Sequence, residues 1–61
     1  MEIYVIYKKT FDNSGNITKI DIVEFDEDET TARSFTKLYN LQIPLDMRNN
    51  VVFENLHTSV I

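Results

Sequence analysis

The segment Ile3-Tyr4-Val5-Ile6-Tyr7 constrains the fold more than any other part of the chain. All five residues are β-branched or aromatic, the types that fit a pleated, buried strand. Ile3, Val5 and Tyr7 would share one face of such a strand, and Tyr4 and Ile6 the other. Both faces are apolar, so the strand is central in its sheet or covered on two sides. The chain has 61 residues, one small domain over residues 1–61. A chain of that size buries only about 60% of its unfolded surface. Domains this small usually add a disulfide, a metal or a partner subunit. There is no cysteine and only one histidine, which excludes disulfides and leaves zinc short of its usual ligands. No metal or cofactor is expected. Self-association is the remaining staple, and a homodimer is expected.

The other elements follow from punctuation and period. Asp12-Asn13-Ser14-Gly15-Asn16 is a turn cluster holding the only glycine, which supplies a positive φ at low cost. A second strand, Ile17 to Phe25, would form an antiparallel hairpin with the first. A helix is expected from Thr30 to about Leu41, with Asp28, Thr30 or Thr31 as N-cap. Ala32, Phe35, Leu38 and Tyr39 recur at helical period, with Arg33, Thr36 and Lys37 facing away. Leu38 is expected in the core, against Val5 or Val23. Pro44 disfavours helix at Ile43, and Pro44 to Asn50 reads as a connection. Val51-Val52-Phe53 opens a third strand that can continue through Leu56 to Val60. The order strand, strand, helix, strand predicts an α+β fold: a three-stranded antiparallel sheet with one helix packed on it.

Charge is concentrated in one place. Asp21, Glu24, Asp26, Glu27, Asp28 and Glu29 are six of the ten acids, and no base interrupts them. The remaining four acids face six bases, within a net charge of −4. That balance argues against direct binding of nucleic acid, which requires clustered Lys and Arg. No window approaches the eighteen apolar residues of a membrane span. Met1-Glu2-Ile3-Tyr4 lacks the basic start of a signal peptide, so a cytoplasmic protein is expected.

Several motifs have bland readings. Asp12-x-Ser14-x-Asn16 begins like a calcium loop, but the required glycine and glutamate positions hold Ile17 and Val23, so a hairpin turn is expected. Asn16-Ile17-Thr18 matches a glycosylation sequon without a secretory signal. His57, Thr58 and Ser59 lack a nucleophile-elbow motif, and no catalytic residue is assigned. The acidic run can serve solubility and helix capping. It can also mimic phosphates, because alternate residues on a strand lie about 6.6 Å apart on one face, close to the spacing of successive phosphates along DNA. Phe35 and Tyr39 lie one turn apart on one helical face. Such a pair can fill a core or line a pocket at a dimer seam, where a tyrosine ring is buried and its hydroxyl stays wet.

The order of elements, together with Ser34-Phe35-Thr36-Lys37-Leu38-Tyr39-Asn40, resembles the p56-type uracil-DNA glycosylase inhibitors of Bacillus phages. Those proteins are similarly short, acidic and free of cysteine. The resemblance implies a homodimeric DNA mimic whose partner is a host uracil-DNA glycosylase or another basic DNA-binding enzyme, met in the host cytoplasm. It implies that Phe35 and Tyr39 from both subunits, beside Leu38, form an apolar pocket for the leucine that the glycosylase wedges into DNA. Glu24 is the closest match to the family's second-strand glutamate, one residue off in its spacing to Phe35. Asp26, Glu27 and Asp28 would extend the acidic surface. The segment from Leu41 to Asn50 is longer than the family pattern, and Pro44 has no counterpart in it. The competing reading is a small structural or adaptor domain that binds a protein through its hydrophobic helix face.

Overall fold

The computed structural model describes residues 1–59. It contains β1 (Glu2–Phe11), β2 (Ile17–Asp26), α1 (Glu29–Leu41), a short 3₁₀ turn (Leu45–Met47) and β3 (Val51–Ser59). The expected continuation of the last strand to Val60 lies outside the described residues. The sheet order is β2-β1-β3, and both neighbours run antiparallel to β1. The run with two apolar faces is therefore the central strand. β2 and β3 are parallel to each other, and α1 carries the chain over β1 from one edge to the other. The α+β architecture is the one expected.

The hairpin turn is built by Asp12. Its carboxylate accepts from the backbone N–H groups of Ser14 and Asn16, each at 2.9 Å, and Gly15 takes φ 85°. These bonds, that from Asn16 first, hold the Asp12 carboxyl below the usual carboxylate range. This is a turn device, as the sequence predicts.

β2 does not alternate simply. The register shifts between Ile6 and Tyr7 and again between Thr10 and Phe11. Val23 and Thr18 are the extra residues, one at each bulge. Each bulge moves the following residues to the opposite face. The result gathers Ile17, Ile20, Ile22 and Phe25 on one face of the sheet, and Lys19, Asp21, Glu24 and Asp26 on the other.

α1 packs on the face that carries Tyr4, Ile6, Phe53 and Asn55. The core is small. Ile6 and Ala32 are fully buried, and Ile43 and Val51 nearly so, with Thr36 as the one buried polar residue among the described residues. Thr36 is satisfied there: its hydroxyl donates to the Ala32 carbonyl at 2.8 Å, and the Asn55 amide donates to it at 3.3 Å. The expected inward stripe needs correction. Leu38 is 50% exposed and Phe35 37% exposed, while Thr36, read as facing away, is buried. Leu38 does not fill a site against Val5, which lies on the opposite face of the sheet, level with Phe25 and Leu56.

Asn40 sets the rotation of the helix. Its side chain accepts from the Phe53 N–H at 2.8 Å and donates to the Phe53 carbonyl at 2.9 Å. One carboxamide thus supplies the bonds of a missing neighbouring strand at the outer edge of β3. Ring stacking of Tyr39 on Phe53, with centroids 5.1 Å apart, reinforces the contact. Among the described residues no helix is long and apolar enough to cross a membrane.

Candidate functional site

The acidic segment is shaped by the end of β2 and the start of α1. Glu24 and Asp26 lie on the helix side of β2, opposite Ile6 and Tyr4. Glu27 and Asp28 follow, both exposed. Two of these carboxylates have structural work. Asp26 accepts from the Asp28 N–H at 2.8 Å and shapes the strand-to-helix turn. Asp28 is the N-cap: it accepts from the Thr31 hydroxyl at 2.7 Å and the Thr31 N–H at 2.8 Å. Those bonds, the hydroxyl's first, hold the Asp28 carboxyl below the usual range. Glu24 and Glu27 have no such backbone role among the described contacts.

The aromatic pair sits on the flank of α1 that faces β2. Tyr39 is half-buried and donates its hydroxyl to Glu24 at 3.2 Å. Burial, and then the Glu24 charge, push the Tyr39 hydroxyl above its ordinary range. The tyrosine therefore joins the helix to the acidic strand. Phe35 and Leu38 lie on the same side of the helix with much of their surface in water. Tyr39 also lines a shallow cleft of about 210 Å³ with Lys8, Pro44, Met47 and Phe53. Phe35 and Leu38 line neither this cleft nor the larger one described next, and they leave apolar surface exposed on this flank of the helix.

The other flank of α1 has the opposite sign, which the sequence pattern did not reveal. Arg33, Lys37 and Arg48 line an open groove of about 580 Å³ together with Asn40 and Leu41. Arg33 is partly neutralised by Glu29, 2.7 Å away. The helix thus divides a negative flank toward β2 from a positive flank toward β3. The signal was available in the helical wheel, where Arg33 and Lys37 fall one turn apart.

The C-terminal polar residues do not form a catalytic constellation. His57 stacks on Tyr4 with centroids 4.9 Å apart and pairs with Glu2. The Ser59 hydroxyl donates to the same Glu2 carboxylate at 2.9 Å. Both groups address the acid, where a triad requires the hydroxyl to address the histidine.

No family model, curated protein or solved structure matches this chain.

Proposed function

We propose that the chain is a DNA-mimicking protein inhibitor of a host DNA-processing enzyme, with uracil-DNA glycosylase as the first candidate. The observation that carries the reading is the join between charge and apolar surface on one flank. Carboxylates of β2 and the helix start adjoin exposed Phe35 and Leu38, and the Tyr39–Glu24 hydrogen bond holds the two together. A groove built for DNA presents cations for phosphates and apolar groups for bases. Glu24, Asp26, Glu27 and Asp28 would meet the cations and speed encounter. Phe35, Leu38 and Tyr39 would receive an apolar wedge.

The adaptor reading draws on the same exposed helix residues, with Leu41 added. Salt separates the two. The test is stopped-flow association with purified glycosylase at low and high ionic strength, using wild type and a Glu24→Gln, Asp26→Asn, Glu27→Gln, Asp28→Asn variant. Asparagine at position 28 keeps a competent N-cap. Mimicry predicts an on-rate lowered about tenfold or more in the variant, with a flattened salt dependence. Unchanged affinity would make the acidic run a solubility device and favour the adaptor.

A further inference from the structure

The sheet has a second face, and no element among the described residues covers it. Its largest exposed residues are those the two bulges of β2 bring together: Ile17, Ile20, Ile22 and Phe25, between 51% and 63% exposed. Val5 and Leu56 continue the surface across β1 and β3, level with Phe25. Simple alternation would have put Ile20 and Ile22 on the same face as Glu24 and Asp26. Two bulges are spent on sorting them away from the acids, so this face is selected for apolarity.

We infer that this face is the seam of a homodimer, in which two copies pack sheet against sheet with both α1 helices outward. Three observations identify the occupant as a second copy. The first is charge. The chain carries −4, yet among the described residues the charged groups paired onto this face are Lys9 and Glu54 alone, 2.6 Å apart. The Tyr7 hydroxyl also donates to Glu54, at 2.9 Å. The carboxylates of the acidic run with assigned strand pairing, Asp21, Glu24 and Asp26, project from the helix side. Two equally acidic chains can therefore approach through the neutral face without repulsion.

The second observation is size. Strands about 4.8 Å apart, rising about 3.4 Å per residue, make a face on the order of 14 by 30 Å. With side-chain relief, two such faces bury on the order of 1,200 Å² in total, the lower end of stable specific interfaces. Contiguous apolar patches beyond a few hundred Å² are rare on monomers. The third is the poverty of the core. Among the described residues only four apolar ones are buried, and the Cα envelope is 12 Å at its thinnest. The accessible surface is 4565 Å², against about 4,100 Å² for a compact monomer of this mass. A second sheet about 10 Å away supplies the missing layer.

The inference does not depend on the inhibitor reading. It does alter one implication of the family resemblance: each copy would present its own Phe35–Tyr39 flank outward, so an apolar socket belongs to one chain.

Sedimentation equilibrium across about 1–100 µM tests the assembly. The expected mass is twice the 7.2 kDa chain. Ile22→Glu should weaken the dimer at least about a hundredfold, because a carboxylate would be buried without a partner. Leu41→Glu, on the helix, should leave the dimer intact. A folded Ile22→Glu is not required, because the chain has no cysteine and single cysteines report the seam directly. Cysteine placed in turn at Ile20, Ile22 and Leu56 should give a covalent dimer under mild oxidation from at least one position. Cysteine at Leu38 or Leu41 should not. A monomer throughout the range overturns the inference, as does cross-linking from the helix positions alone.

Discussion

Asn40→Ala is the most informative single substitution for the fold. It removes the pair of hydrogen bonds to Phe53, at 2.8 and 2.9 Å, and a third to the Thr36 carbonyl at 3.1 Å. Each hydrogen bond contributes about 0.5–1.5 kcal/mol net. Phe53 is half-buried, so its freed N–H and carbonyl regain water only in part. The expected loss is therefore about 2–3 kcal/mol. A domain of this length has about 3–9 kcal/mol in total, so about a fifth of its stability or more would go. The melting temperature should fall by about 10–20 °C. Thermal unfolding followed by far-UV circular dichroism reads the effect, with Leu41→Ala as an exposed control on the same helix. Asn40→Asp should not rescue, because it sets a carboxylate against the Phe53 carbonyl. A loss below about 0.5 kcal/mol for Asn40→Ala would show that the carboxamide does not orient the helix.

Other outcomes follow from the packing. Ile6→Ala should cost about 2–5 kcal/mol and leave the domain largely unfolded, while Leu38→Ala should cost under about 1 kcal/mol; urea titration of both checks the helix face. Stability should fall as pH drops below the ordinary carboxylate range of about 4. The carboxyls of Asp12, Asp28 and Glu54 are held low in the folded state, so the unfolded chain binds more protons there, and the stabilisation present at neutral pH is lost through their folded values. Asp12→Asn should shrink that acid-side loss in thermal melts across pH. In the complex with a glycosylase, Phe35→Ala or Tyr39→Ala should cost about 2 kcal/mol or more, and Lys37→Ala little, read by titration calorimetry on variants first shown to be folded.

The element order was legible because each signal was local. The Asp12–Gly15 turn, the two-faced apolar strand, an N-cap among Asp28, Thr30 and Thr31 (found at Asp28) and the stop before Pro44 each act within a few residues. The helix face was not legible for a tertiary reason. The apolar stripe of Ala32, Phe35, Leu38 and Tyr39 is rotated by roughly 70° from the arc that is buried, counting 3.6 residues per turn. Small Thr36 wins the interior by bonding within its own helix, and Asn40 turns the helix toward β3. Both are polar residues, which periodicity assigns to water. The faces of β2 were hidden by its bulges. The intervals from Ile17 to Ile20, Ile22 and Phe25 fit neither a strand period nor a helix until Thr18 and Val23 are removed from the count. Of the candidate site, the acidic run and the aromatic pair stood in the sequence. The Tyr39–Glu24 bond that joins them required the fold, as did the approach of Arg48 to the Arg33–Lys37 pair in the basic groove.

Inhibition of uracil excision tests the central claim most directly. Purified glycosylase would be assayed on a uracil-containing duplex with increasing amounts of the chain at fixed ionic strength. The account predicts loss of excision near stoichiometric addition in the micromolar range, relieved by added salt and by neutralising Glu24, Asp26, Glu27 and Asp28. Full excision at micromolar excess of the folded chain would contradict it.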